Sequence, residues 1–307
     1  MIVGIAAGAA ILIGVGVAVW LLVRAPSAED AARAYLDALG DGDIARVEAM
    51  TSHPDEEGRG IVAAAFAGAR GYIRDARIEE VSSPAAGITG VRASAELQGE
   101  RRALTFAMSE AGGRWAVTAD YLGTIEVYTD LAGTGLPAGD SVWIGDALAP
   151  AGSRIGLLPA EYAVTAAPRG LLTGEAEVAV SNDRPSSVTL DVALSSAAVD
   201  AAQEQLDAYA QMCTQTADLV PPNCGLRVPW AADLATLTSI AYRVEQSPTV
   251  AFGADGRSFA ATGGVVVATA TGTTRDGGIG TFTYRADDWA LRGMVSFQGD
   301  EMVLAVG

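Results

Sequence analysis

The sequence predicts an α+β chain of several domains behind a single N-terminal membrane-spanning helix. Three observations lead there. Residues 2–23, IVGIAAGAAILIGVGVAVWLLV, carry no charge over a length that, at ~1.5 Å of rise per residue, matches the hydrocarbon core of a bilayer. Twice beyond that run, an apolar pattern of helical period gives way to the alternation of strands. The only two cysteines, Cys213 and Cys224, bracket a short Pro-Pro loop just after the second helical pattern.

Two readings of Ile2–Val23 compete. A cleaved secretory signal needs a basic n-region, a shorter apolar core and a small-x-small site. No Arg or Lys precedes the run, which is longer than such a core, and Arg24-Ala25-Pro26-Ser27-Ala28 offers only a site beside a proline. The residues therefore favour an uncleaved anchor over residues 1–24, with the lipid bilayer as its partner. No cysteine follows the run, which excludes a lipoprotein anchor. The missing basic n-region leaves room for an upstream cytoplasmic segment. Gly4-x-x-x-Gly8 is a small-xxx-small spacing through which two such helices would pack as a homodimer.

Composition excludes several function classes. A net charge of −17 without a basic stripe argues against nucleic acid as a partner. All 20 basic residues are Arg, so there is no phosphate-binding loop of the G-K-[ST] type, no Schiff base and no Ser-x-x-Lys pair. His53, the only histidine, sits in the polar loop Thr51-Ser52-His53-Pro54-Asp55, where no neighbouring motif supports a catalytic triad. Two cysteines are too few for a structural zinc site. No catalytic residue, cofactor-binding residue or metal ligand is assigned.

The first domain is expected over 27–122. Ser27-Ala28-Glu29-Asp30 has the pattern of a capping box. Ala32, Tyr35, Leu36 and Leu39 then form one apolar face, with Gly40 as the stop. Asp41-Gly42-Asp43 is a turn whose last Asp caps a second helix through Met50; the Glu of a calcium loop is missing from it. A third helix is expected over Arg59–Gly68. Strand patterns follow at Arg77–Val81 and Val91–Leu97. After a Gln98-Gly99-Glu100 turn, Arg102, Leu104, Phe106 and Met108 alternate. A Gly112-Gly113 turn leads to a last strand with Trp115, Val117, Ala119 and Tyr121 on one face.

Residues 123–182 carry short strand patterns, Thr124–Tyr128, Ser141–Gly145 and Leu157–Thr165, separated by turn signals, and suggest a small β-sandwich. Gly133-x-Gly135 is a loop, since no helix follows it. The third domain, 185–307, opens with a strand at Ser187–Val192 and a helix at Ala197–Cys213 whose buried stripe is expected to be Val199, Ala202, Leu206, Tyr209 and Cys213. An even cysteine pair beside a Pro-Pro loop behind an anchor predicts a Cys213–Cys224 disulfide and hence an oxidising compartment. That outweighs Arg24, whose single charge favours a cytoplasmic C-terminal side. Strands are then expected at Ile240–Glu245, Thr249–Phe252, Gly264–Thr273, Gly280–Arg285, Trp289–Phe297 and Glu301–Val306, with Asp287-Asp288 at a hairpin tip.

The run Ala28–Asp43, followed by four strands with a late Trp115, resembles the nuclear transport factor 2-like (cystatin-like cone) domains found just outside the membrane in Gram-positive envelope proteins. Leu158-Pro159-Ala160-Glu161-Tyr162-Ala163-Val164-Thr165 resembles a strand entry of small envelope β-domains, with Ala160 in place of their Gly. The layout as a whole resembles the membrane-anchored proteins related to the teicoplanin-resistance-associated family, without their cytoplasmic zinc ribbon. The resemblance implies a Gram-positive, actinobacterial envelope protein. The expected function is a non-enzymatic, single-pass cell-membrane protein with its C-terminal region extracytoplasmic, binding or scaffolding through envelope-protein or cell-wall contacts. The alternative is a small-ligand binder or enzyme built on the cone, with Asp37, Asp120 or Tyr35 pointing into an enclosed pocket.

Overall fold

A computed structural model describes residues 27–52, 56–85 and 87–307. The Ile2–Val23 run with Gly4 and Gly8, Arg24 and His53 lie outside the described residues. Among the described residues no helix is long and apolar enough to cross a membrane. The protein is mixed α+β, mostly strand, with four α-helices among the described residues. It forms two compact units. The first holds the described residues up to Thr124 with Gly156–Tyr162 and Ala179–Ser186; the second holds Ile125–Ile155, Ala163–Val178 and Ser187–Gly307. Residues 123–182 thus contribute to both.

In the first unit, helix α1 (Ala28–Asp41) starts at a capping box: the Ser27 hydroxyl accepts from the Asp30 N–H, and the Asp30 carboxylate accepts from the Ser27 N–H. The helix runs past Gly40 and stops at Gly42, which has φ 68°. A Cβ there would also lie 2.3 Å from the Tyr72 ring, so both backbone and packing require glycine. Asp43 caps helix α2 (Ile44–Met50) through the Arg46 N–H, and helix α3 (Glu56–Ala67) buries Val62, Ala65 and Phe66. Strand β1 (Gly71–Tyr72) precedes the antiparallel meander β2 (Arg74–Ala85), β3 (Ile88–Leu97), β4 (Glu100–Ala111) and β5 (Arg114–Ala119).

Alternate residues Val91, Ala93, Ala95 and Leu97 of β3 and Leu104, Phe106 and Met108 of β4 form the core with Tyr35, Leu36 and Leu39 of α1. The predicted face of the last strand is broken. Val117 and Tyr121 are buried, Trp115 is half-buried and Ala119 is exposed. Pairing explains it: Met108 opposes Val117 but Ala107 opposes Ala119, so Thr118 is an extra residue and the pleat switches face there.

Eight strands follow: β6 (Gly123–Leu131), β7 (Ser141–Ile144), β8 (Ala147–Pro150), β9 (Arg154–Leu157), β10 (Ala160–Ala166), β11 (Leu172–Thr173), β12 (Glu175–Val180) and β13 (Ser186–Leu194). One sheet has the order β11-β13-β6-β9, so the strand expected to open the third domain is the neighbour of β6. Strand β10 pairs with β1 through Ala160 and Glu161, and through Val164–Ala166 with β7, beside which β8 lies.

The rest of the second unit is one helix and one large sheet. Helix α4 (Ser196–Cys213) is capped by Ser195 and buries Ala198, Ala202, Leu206, Ala210 and Cys213. The stripe is therefore not the predicted one: Val199 is exposed and Tyr209 half-buried. Steps of four place three alanines and one leucine in line, and their small side chains let the helix backbone come close to the strands.

Strands β14 (Leu234–Gln246), β15 (Thr249–Phe252), β16 (Ser258–Thr274), β17 (Ile279–Gln298) and β18 (Glu301–Val306) follow in the order β14-β16-β17-β18, with β15 also on β16. Asp287-Asp288 is not a hairpin tip. The two strands expected around it are one continuous β17, in which Trp289 opposes Gly264 and Ala286 opposes Val266. That one extra residue is a β-bulge, which the strand absorbs without turning.

Helix α4 also closes the sheet's edges. The Gln203 amide donates to the Pro248 carbonyl at 3.1 Å and accepts from the Val250 N–H at 2.9 Å. The Gln205 amide donates to the Met302 carbonyl at 2.9 Å and accepts from the Leu304 N–H at 3.2 Å. Each side chain thus stands in for a missing neighbouring strand, on β15 and on β18. On β14, Ala217 and Ile240 exchange both backbone hydrogen bonds. We expect Gln203→Ala to destabilise the protein by about 1–2 kcal/mol and Gln205→Ala, which is more exposed, by about 1 kcal/mol, read by denaturant unfolding.

Local hydrogen-bond donors act on two exposed turn carboxylates of this unit. The Gly299 N–H, then the Ser141 hydroxyl, hold Asp140 below the usual carboxylate range; the Arg257 and Ser258 N–H groups do the same for Asp255. A lowered folded value stabilises the fold above the unfolded pKa, and that stabilisation is lost as pH falls through the folded value. The thermal midpoint is expected to drop between about pH 5 and pH 3, and Asp140→Asn to reduce the size of that drop.

Candidate functional site

The two cysteines come together at the end of α4. Their sulfurs are 1.99 Å apart and their Cα atoms 5.6 Å apart. Three further contacts fix the chain leaving Cys224. The buried Trp289 indole N–H donates to the Cys224 carbonyl at 2.8 Å, and the Tyr209 hydroxyl donates to the Asn223 carbonyl at 3.1 Å. Gly225 has φ 62°, and a Cβ there would fall 2.1 Å from the Ala290 carbonyl oxygen, so the loop passes directly against β17.

Beside this crossing, Asn223–Val228 wall a concavity of about 440 Å³. Val266, Ala268, Trp289 and Leu291 line it, each about 2% exposed, while Arg227, Arg285, Asp288 and Arg292 contribute charge. Several of the polar side chains are already engaged. Arg285 donates to Glu245 and, at 2.7 Å, to Asp287, and these carboxylates hold its guanidinium above its ordinary pKa. The Tyr284 hydroxyl donates to Asp233 at 2.8 Å; burial, then that bond, pushes its pKa up. The Trp289 N–H is held by Cys224. Arg227, Asp288 and Arg292 form no ion pair among the described residues.

A second polar cluster ties the β17–β18 turn. Asp300 accepts from the Trp143 indole at 2.8 Å and from the Arg169 N–H at 2.9 Å, and the Arg169 guanidinium lies 4.0 Å over the Trp143 ring. Both hydrogen bonds and the cation–π pair are internal, which marks the cluster as a structural clamp.

The first unit treats its three candidate polar residues differently. Asp37 and Asp120 are exposed, which corrects the expectation that either points into an enclosed pocket. Asp37 falls on the outer side of α1, and Asp120 sits at φ 58° in the turn after β5. Tyr35 is buried edge-on to Phe106, ring centroids 5.0 Å apart, and its hydroxyl has no hydrogen-bond partner among the described residues. Burial, then Tyr121, pushes that hydroxyl's pKa far up. Leu104, Phe106 and Met108 are packed beside it in the same core. Among the described residues, no group of three or more His, Cys, Asp or Glu is placed to hold a metal ion.

Comparison with protein-family models, curated proteins and solved structures gives no match to this chain. Sequence reasoning found the cysteine pair but not the cavity, whose walls come from 223–228, 266–268, 284–292 and 306–307. Gly225, directly after a cysteine, was the one local sign that something packs closely there.

Reducing the Cys213–Cys224 pair is expected to lower stability by about 3 kcal/mol, from the loop it closes. Trp289→Phe is expected to lower it by about 1–2 kcal/mol, because the buried Cys224 carbonyl loses its donor. Both are read by denaturant unfolding with and without reductant.

Proposed function

We propose that this chain is a non-enzymatic, single-pass membrane-anchored protein of a Gram-positive envelope, which binds or scaffolds outside the cytoplasm through protein or cell-wall contacts. One observation carries the proposal: Cys213 and Cys224 lie at bonding distance in a chain whose N-terminal 2–23 run is long and apolar enough to anchor it. Disulfides persist in oxidising compartments, so the pair favours an extracytoplasmic C-terminal region.

The fold supports the resemblance to the teicoplanin-resistance-associated proteins in its order of elements. Three helices followed by the β2–β5 meander suit a nuclear transport factor 2-like cone over 27–122. The two sheets that hold β6 to β13, one of which also takes in β1, suit a small β-sandwich, and α4 with β14–β18 suits a C-terminal α+β domain. The Tyr35 hydroxyl, polar and without a hydrogen-bond partner among the described residues, favours a second reading as a small-ligand binder or enzyme. The exposure of Asp37 and Asp120 and the filling of the core by Leu104, Phe106 and Met108 weigh against it.

The test is thiol labelling of the full chain in intact cells with a membrane-impermeant maleimide. No labelling is expected before reduction, and labelling of both cysteines after it. Two thiols that react without reductant, or that stay out of reach of the impermeant reagent after reduction, would overturn the extracytoplasmic placement.

A further inference from the structure

We propose that the cavity between the 223–228 loop and β17 binds a small zwitterion of the amino-acid or dipeptide class, its carboxylate held by Arg227 and Arg292 and its ammonium by Asp288. The charge around the cavity argues for this. Of the polar side chains on its walls, Arg285, Tyr284 and Trp289 are each engaged with a partner inside the protein. Arg227, Asp288 and Arg292 line the same cavity, carry charges of both signs, and make no ion pair with one another or with any other described residue.

A simple anion would meet the arginines but also Asp288, and a simple cation the reverse. A ligand with both charges satisfies all three. Arginine's planar fork matches a carboxylate through two parallel N–H···O bonds, and Asp288 accepts from an ammonium. Val266, Ala268, Trp289 and Leu291 form the covered floor of the same cavity, and the half-buried Leu226 and Val228 of the loop offer apolar contact for an aliphatic side chain. About 440 Å³ falls within the range of small-molecule sites and would admit a dipeptide.

This inference gives the binding half of the proposed function a ligand chemistry. It stands on residues that membrane topology does not involve, so ligand binding and thiol labelling can fail independently.

The test is isothermal titration of detergent-solubilised full chain with glycyl-leucine, glycyl-leucinamide and N-acetyl-glycyl-leucine. Glycyl-leucine is expected to bind, and removing either ligand charge to weaken it at least about tenfold. The double variant Arg227→Gln/Arg292→Gln is expected to lose a similar factor for glycyl-leucine. Arg227→Lys/Arg292→Lys keeps the charge but loses the forks, and is expected to fall between. All three positions are exposed, and an unchanged thermal midpoint in each variant verifies folding. Asp288→Asn is expected to make the free and acetylated dipeptides bind equally. Absence of glycyl-leucine binding, equal binding of the amide or of the acetylated form to the parent protein, or undiminished binding by the folded Gln variant would overturn the proposal.

Discussion

Two glutamine side chains on α4 decide how the largest sheet of this protein ends. A sheet edge exposes a row of unpaired N–H and C=O groups, which invite pairing with another chain. Gln203 and Gln205 lie on either flank of the Ala198-Ala202-Leu206-Ala210 stripe, and each presents an amide whose donor and acceptor match one backbone carbonyl and one backbone N–H. The helix therefore contributes more than an apolar lid. It fixes β15 and β18 at its two sides, and the sheet between them follows.

The cysteine loop extends the same helix. Because Cys213 is the last helical residue and Cys224 lies under Trp289, the end of α4 is tied covalently to a segment that is itself hydrogen-bonded to β17. Together these ties place Arg227 in a loop whose position is set by a covalent bond, a buried hydrogen bond and the close approach of Gly225 to Ala290, and so they shape the loop wall of the cavity. A site built this way is better ordered than its loop location implies.

The first unit relies on local rules. A capping box at Ser27, a left-handed Gly42, an Asp43 cap and short turns between β3, β4 and β5 each satisfy backbone groups within a few residues of their own position. Its core also buries polar groups: the Tyr162 hydroxyl donates to the Leu158 carbonyl at 2.7 Å, whereas the Tyr35 hydroxyl has no hydrogen-bond partner among the described residues. A buried hydroxyl without a partner is costly, and the ring's contact with Phe106 offsets part of that cost.

What the sequence alone determined was whatever depends on neighbours along the chain: the helix starts at Ser27 and Asp43, the alternation of β3 and β4, the turns at Gln98-Gly99 and Gly112-Gly113, and a cysteine pair close enough to meet. These are set by dihedral preference, hydrophobic period and short loops, which act over a few residues. The tertiary structure alone decided that α1 ends at Gly42, where the Tyr72 ring leaves no room for a side chain. It decided that α4 buries Ala198 and Ala210 in place of Val199 and Tyr209, because close approach to a sheet selects small residues over large ones. It also joined two expected strands across Asp287-Asp288, since a bulge opposite Gly264 costs the ladder less than a turn. The charged cavity belongs to this second class: Arg227, Asp288 and Arg292 are separated by as much as 65 positions, and only the fold of β17 against the cysteine loop brings them to one place.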